Sequence, residues 1–488
     1  TSRTRSDPVD SKQVIHPKPR ADLHMSVNAR FAAIQTANSR SPRQFQRAVG
    51  EDGQPLTAAE LYGRNTFSLE VMSNKLPKPV YKRVEACISR GEALSKNDAD
   101  VVAHAVKEWA LDNGVTHFTH WFQPMTGSTA EKHDAFLTFS GGQAVERFTG
   151  DMLIQSEPDA SSFPSGGTRT TFEARGYTAW DPTSPAFLRH SPNGVTLTIP
   201  TIFCSWTGES LDTKTPLLRS DAALDRSARR LLELLREEGE ARPGRVFSNV
   251  GPEQEFFLVD RELFYLRPDL SATGRTLFGA APPKGQEQDD HYFATTPNRV
   301  MAFMQHLERR LWKLGIPIKT RHNEVAPGQF EMAPIYEPAT VAGDHNMLMM
   351  DLLHETAERH GFKCLLHEKP YRGLNGSGKH DNYSVGDDLG NNMFDPGDNP
   401  HENQRFMVFL TALIVAVTNP KAIILIAALF PQFISAGGVD LLGFFTYDIP
   451  VTTGSVDPAT GKMEVDFAGP IPFIGELSAF LEADKIAD

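Results

Sequence analysis

Cysteine is scarce in this chain: Cys87, Cys204 and Cys364 are the only three in 488 residues, and they stand far apart. With no CxxC among them, a disulfide framework and a thiolate zinc site are excluded, leaving reduced thiols of the kind usual in the cytosol. A basic surplus is missing too. Lys and Arg number 49 against 61 Asp and Glu, a net charge of −12, which argues against a nucleic-acid partner. No apolar signal core follows Thr1, and residues 1–24, with Pro8, Pro17 and Pro19, read as a flexible arm. Nor is there an unbroken apolar run of the roughly 18 residues a membrane span needs. The uncharged stretch Phe406–Val417 and the run AIILIAALFPQFI at 422–434 are parted by Asn419, Pro420 and Lys421. A buried core helix followed by a strand is the expectation there, with no membrane association. Internal repeats and low-complexity tracts are absent as well.

What is present describes an ordinary globular chain, 40% hydrophobic and 23% charged with 31 Phe. Its length suits about three domains, or two with large insertions. Asp98–Trp109 reads as a helix with Val101, Ala105 and Trp109 on one stripe, and turn chemistry is dense at Ser161–Gly167 and Asp181–Pro185. Farther on, Asp221–Gly239 places Leu224, Ala228, Leu231, Leu232 and Leu235 on one helical face. Glu255–Asp260 reads as a strand. A helix is expected from Thr296–Pro297 to Gly315 with Met301, Met304, Leu307, Leu311 and Leu314 inward, and another over Thr340–His360. Strands separated by long helices, after a more β-rich first part, predict an α+β fold with helices on one side of a sheet.

Three segments carry chemistry. In Glu253-Gln254-Glu255 the two carboxylates share one face of a strand, about 7 Å apart. Carboxylates that close repel unless a cation sits between them, although an ExE pair is also what a solvent-facing strand edge looks like. In NEVAPGQFE, Glu324 and Glu331 are seven apart, an odd spacing that puts them on opposite faces of a flat strand. Pro327-Gly328 supplies a turn or bulge able to reset the phase; a turn with two incidental glutamates is the plain alternative. In KPYRGLNGSGKH, Gly373–Lys379 matches GxxxxGK, but His380 stands where a P-loop needs Ser or Thr. The glycines suit close approach of backbone to a small polar substrate, and His380 suits an imidazole ligand. Four carboxylates and an imidazole make a hard-oxygen site for Mg2+ or Mn2+, with phosphate completing the coordination.

In this order the three motifs resemble those of glutamine synthetases. HFTHWFQPMTGSTAEKHDAF (117–136), GDMLIQSEPDASSFPSGG (150–167) and SWTGESLDTKTPLLRS (205–220) are similar to the type III subfamily, and the resemblance spans about residues 26–417. It implies a β-grasp-like N-terminal domain over 25–215, then a catalytic domain over 216–418 with an antiparallel sheet flanked by helices. Residues 419–488 are left as an atypical tail. Homo-oligomers of stacked rings are implied, dodecameric and cytoplasmic, with active sites between neighbouring subunits. Residue by residue, Glu255, Glu324 and Glu331 match the ligands of one metal, while Glu253 and His380 match two ligands of another. Asn375, Gly376 and Gly378 match the loop that holds glutamate. Ser384 matches a residue near ATP, and Asn382 stands where many members have a nucleotide-side His. Asp151 resembles the acid a neighbouring subunit contributes near ammonium, and Glu324 doubles as a catalytic carboxylate. Where many relatives have Asp in a DGSS turn, this chain reads Ser140-Gly141-Gly142.

The reaction so implied is ATP-dependent ligation of ammonia to the γ-carboxylate of L-glutamate through a γ-glutamyl phosphate, giving glutamine. Its partners are glutamate, ammonium and ATP, with two or more divalent cations per site. From Phe406 to Asp488 there is no Arg, no NEAP-type flap and no EFR-type strand, and the residues after Thr418 are faintly similar to exporters of the lysine exporter type. Truncation, a divergent ending or fusion to foreign sequence would each account for this, and each removes a metal ligand and the phosphate-binding arginines. An inactive ring-forming paralogue and a ligase using another amine are therefore carried beside the synthetase reading, and a membrane exporter behind them.

Overall fold

The structure, a computed structural model, describes residues 21–124, 129–156, 176–205, 208–276, 292–418, 451–456 and 463–467. The turn expected at 161–167 and the strand expected at 422–434 lie outside these residues. The first helix, α1 (Ala21–Ser39), takes in the last four residues of the expected arm. It is followed by α2 (Ala58–Leu61), α3 (Leu69–Lys75), α4 (Lys78–Arg90) and α5 (Lys96–Asp112). Local chemistry sets their ends. Thr57 and Glu60 form a capping box on α2, Ser68 caps α3, Ser95 caps α5, and Gly91 closes α4 at φ 70°.

Next come β1 (His117–Trp121), β2 (His133–Ala135), β3 (Leu137–Ser140), β4 (Gln143–Glu146), α6 (Gly150–Ile154), β5 (Gln155–Ser156), β6 (Gly176–Trp180), β7 (Phe187–Ser191) and β8 (Gly194–Ser205). The first sheet runs β2-β1-β8-β6-β5, with β7 also on β8; β1 and β8 are parallel and the other pairs antiparallel. Phe118, Leu197 and Ile199 of this sheet pack with Val102, Val106 and Trp109 of α5 in one core. The α5 stripe is thus the one expected, shifted so that Val102 rather than Val101 is fully buried. β3 and β4 form a separate hairpin whose two loop residues, Gly141 and Gly142, sit at φ 58° and 82°. Both central residues of such a turn need positive φ, which explains a Gly-Gly pair there.

The second half holds α7 (Lys214–Leu235), β9 (Val246–Asp260), α8 (Arg261–Tyr265), α9 (Pro268–Thr273), α10 (Asn298–Lys313), β10 (Ile318–Asn323), β11 (Gln329–Pro334), β12 (Glu337–Pro338), α11 (Ala339–Arg359), β13 (Phe362–Leu365), β14 (Lys379–Asp387) and α12 (Gln404–Thr418). β9 is the spine of an antiparallel sheet. β11 and β12 pair along one edge of it, β13 and β14 along the other, and β10 extends beyond β11. The strand begins nine residues before the expected Glu255, because Gly251 and Pro252 are held in the ladder opposite Asn382 and Asp381.

Alternation along β9 then divides the two faces. Val246 meets Ala228 and Leu232 of α7, while Phe256 packs among Phe303, Met304, Leu307 and Leu311 of α10 and Leu348, Leu352 and Leu353 of α11. So the long helices α7, α10 and α11 gather on one side of the sheet, as expected, while the short α8 and α9 meet Phe257 and Val259 on the other. On α10 the inward set includes Val300 and Phe303, whereas Met301 is only half-buried and receives a hydrogen bond from Arg321.

The buried core helix expected at 406–417 needs correction. The helix forms as α12, but Phe409 is its buried residue, and Ile414 and Val415 are 48% and 49% exposed. Apolar composition favoured helix formation without supplying a polar/apolar stripe that would dictate which face is covered. Residues Leu410–Asp488 form a second compact unit, in which β15 (Val451–Val456) pairs antiparallel with β16 (Met463–Phe467).

Candidate active site on the open face of the second sheet

Because β9 turns its even-numbered residues to the helices, Gly251, Glu253 and Glu255 look the other way. Directly opposed residues of antiparallel strands share a face. The register sets Glu331 of β11 opposite Glu255, His380 of β14 opposite Glu253, and His322 of β10 opposite Glu331. Asn382 and Ser384, two and four residues beyond His380, fall on the same face opposite Gly251 and Asn249. Glu324 joins them through the hairpin β10–β11. Its N–H donates to the Gln329 carbonyl at 3.0 Å, so the odd spacing of Glu324 and Glu331 brings them to one face across two strands. Gly328, at φ 77°, makes that turn.

Two triads result, Glu253–Glu331–His380 and His322–Glu324–Glu331, and in each the ligating atoms all lie within 4.8 Å of one another. His380 Nδ1 is 3.3 Å from Glu253 Oε2, and His322 Nδ1 is 3.3 Å from Glu324 Oε1 and 3.8 Å from Glu331 Oε2. Glu331 belongs to both. Burial, reinforced by Glu324 and Glu253, pushes its carboxyl up to about 8. Burial followed by the Glu255 charge raises Glu324 as well. Burial also acts upward on Glu253, but hydrogen bonds from Asn382, Glu331 and His380 outweigh it and leave that carboxyl below its ordinary value. Carboxylates crowded to this degree without enough positive charge of their own form a set that a divalent cation would satisfy. Oxygen-rich donors with one imidazole per triad suit Mg2+ or Mn2+ rather than a soft metal.

Glu255 is placed differently from its neighbours. Its Oε2 accepts from the Gly378 N–H and from Gln329 Nε2, each at 2.9 Å, while Oε1 is 3.8 Å from His380 Nε2. Glu255 therefore ties the glycine loop to the sheet at the rim of the first triad. Gln329 bridges the same parts, since its amide also donates to the Gly376 carbonyl at 2.6 Å. Gly376 has no room for a side chain, because a Cβ there would come within 2.1 Å of the Glu368 carbonyl oxygen. Asn375 is exposed in the loop. Asn382 Nδ2 donates to Glu253 Oε1 at 2.7 Å, and Ser384 accepts from Asn249 at 3.4 Å. Asp151 sits apart on α6, paired with Lys96 at 2.8 Å and with its side chain 71% exposed.

Three residues of this face were not singled out from sequence. His322 lies two residues before Glu324 and could have been found from that spacing alone. Gln329 reads as an ordinary strand residue, and Tyr336, 63% exposed, lies with its backbone 3.4 Å from where a Gly251 Cβ would sit. Neither carries a local signal.

Comparison with known proteins agrees with this geometry. Residues 58–220 match the family model "Glutamine synthetase type III N terminal", and residues 226–425 match "Glutamine synthetase, catalytic domain". The chain is 50% identical over 393 residues to a type-3 glutamine synthetase of Dictyostelium discoideum, covering 80% of this chain and 53% of that one. It is 48% identical over 415 residues to a glutamine synthetase of Bacteroides fragilis, covering 85% and 54%. A glutamine synthetase of Butyrivibrio fibrisolvens is 40% identical over 364 residues, with coverage of 73% and 50%. The chain thus spans about half the length of these curated relatives. With both halves matched in order and the two triads built from the matched catalytic segment, the chain belongs to the glutamine synthetase family, in its type III branch.

Proposed function

We propose that this chain carries the site of an ATP-dependent ligase that joins ammonia to the γ-carboxylate of L-glutamate through a γ-glutamyl phosphate, giving glutamine, ADP and phosphate. The observation that carries this reading is the pair of carboxylate–imidazole triads sharing Glu331 on one sheet face, beside a glycine loop held by Glu255 and Gln329. Glu253, Glu331 and His380 would hold one divalent cation, and His322, Glu324 and Glu331 a second, with Glu255 at the rim. Such cations, Mg2+ or Mn2+, supply charge neutralisation for phosphate oxygens.

The chain's own groups do the rest. Asn375 and the backbone of Gly376 and Gly378 bind glutamate and aim its side chain at the sheet. Asn382 and Ser384 flank the nucleotide, and the exposed Tyr336 ring offers a flat surface to its base. Asp151 of a neighbouring copy, together with Glu324, draws the proton from ammonium. That arrangement requires a homo-oligomer of stacked rings, with an N-terminal domain over 25–215 facing a catalytic domain over 216–418. Positioning and charge stabilisation are where phosphoryl-transfer catalysis mainly arises.

Phosphate release from ATP and glutamate, measured on this chain with Mg2+ and ammonium, ethanolamine or polyamines in turn, tests the reading. Turnover with ammonium supports it; turnover only with another amine assigns a different ligase. A ring-forming paralogue without turnover is the alternative outcome of the same test. Divalent binding by calorimetry, with no phosphate release from any amine, would select that reading.

A further inference from the structure

A cleft on the opposite side of the second sheet has a character unlike the rest of this acidic chain. It measures about 350 Å3 and is walled by Arg226, Arg229, Arg230, Arg236, Arg242 and Arg405. That volume is within the range of small-molecule sites. Three carboxylates also line it, and each is already engaged. Glu233 is divided between Arg236 at 3.4 Å and Arg242 at 2.8 Å, and Glu240 holds Arg405. Asp387 accepts from the N–H groups of Leu389 and Asn391 and from the Asn391 amide, so it closes its own loop.

Arg229 forks onto Asp225 at 2.9 and 2.8 Å. Arg226 and Arg230 are left over. They are exposed, four apart on α7, and among the described residues neither has a carboxylate partner. Like charges at that spacing disfavour the helix that carries them. A solvated polar face would account for these two alone. It does not account for a concave wall in which the Nε of Arg405 is buried with no hydrogen-bond partner. Six guanidiniums against three occupied carboxylates leave a local positive surplus in a chain whose net charge is −12.

We propose that this cleft binds a small anion carrying two or more phosphate charges, at a place separate from the carboxylate face. Guanidinium groups present paired N–H donors that match phosphate oxygens, and an i, i+4 pair on a helix spans neighbouring phosphates. The occupant is held beside the end of β14. Asp387 of that strand lies in the cleft wall, while His380, Asn382 and Ser384 lie on its other face. Ala228 and Leu232 of α7, packed on Val246 and Val385, keep the arginines in register with the strand.

Titration of inorganic pyrophosphate into the full chain, followed by calorimetry in buffer freed of divalent metal by a chelator, tests this. Saturable binding is expected, weakened by about tenfold or more in the Arg226→Gln/Arg230→Gln double variant and unchanged in Glu331→Gln. Both arginines are exposed, and a melting curve like that of the parent chain verifies that the double variant folds. Arg230→Glu is the second variant, expected to weaken binding further. Absence of saturable binding, or affinity untouched by either arginine variant, overturns the proposal. So does a loss of self-association in the double variant at unchanged pyrophosphate affinity, which would assign the arginines to a contact between copies.

Discussion

Glu331 stands in both triads, opposite Glu255 on one side and His322 on the other, so its substitution acts on both proposed cation sites at once. Glu331→Gln is expected to weaken both phases of a Mn2+ titration, whereas His380→Ala weakens one and His322→Ala the other; calorimetry separates the three cases. Loss of a single metal ligand leaves the remaining carboxylates crowded and uncompensated, which is why each effect should exceed about tenfold. The glycine loop offers a test of a different kind. Gly376→Ala forces a Cβ to within 2.1 Å of the Glu368 carbonyl, so the loop must move and the Gln329 bond to the Gly376 carbonyl breaks. The expected cost is about 1–3 kcal/mol in thermal unfolding, together with weakened glutamate binding by fluorescence or calorimetry.

At the scale of elements, α5 shows how one acidic residue can fasten a helix end. Asp98 in its first turn is buried, accepts from Arg83 at 2.6 Å and from the Ser95 hydroxyl at 2.7 Å, and these bonds hold its carboxyl down at about 2. Because the folded value is depressed, the stabilisation is complete above the unfolded value near 3.9 and is lost as pH falls toward 2. Asp98→Ala removes it at all pH values, with an expected loss of about 1–3 kcal/mol by denaturant unfolding. The hairpin β10–β11 makes a contrasting case. Its role was half legible: the Pro327-Gly328 turn could be read, but which strands carried the two glutamates depended on the register with β9.

At the scale of the whole molecule, Lys214 joins parts that are distant in sequence. It is 1% exposed, 2.7 Å from Asp181 after β6, ion-paired with Asp344 on α11, and 3.2 Å from the Ser184 hydroxyl. Burial alone would strip its proton, but the two carboxylates outweigh that and raise its pKa. Lys214→Met leaves two buried carboxylates unpaired, with an expected loss of about 3–5 kcal/mol by denaturant unfolding. Histidines set a pH dependence over a wider area. Burial holds His120, His306 and His360 at about 4, and His360 adds its own charge against His306. At these three sites the unfolded chain binds more protons than the folded one between pH 6.5 and 4, so the stability they contribute is full above that window and falls through it. Melting temperatures measured from pH 7 to pH 4 should decline, and His306→Gln should flatten part of the slope.

What the sequence determined by itself was local and periodic. The helices at 98–109, 296–315 and 340–360, the body of the one at 221–239, the pairing of Glu253 with Glu255, and the glycine loop before His380 follow from spacing and turn chemistry; α7 itself runs from Lys214 to Leu235, starting seven residues before the expected helix and ending four sooner. The tertiary structure decided what depends on register. It alone set His322 against Glu331, tied Glu255 to the loop rather than to a triad, and put Gln329 between them. It also collected six arginines behind the sheet, from α7, the segment after it and α12. Each of these is an encounter between strands or helices far apart in the chain, set by which face of β9 the helices cover, and no periodicity within one segment encodes it.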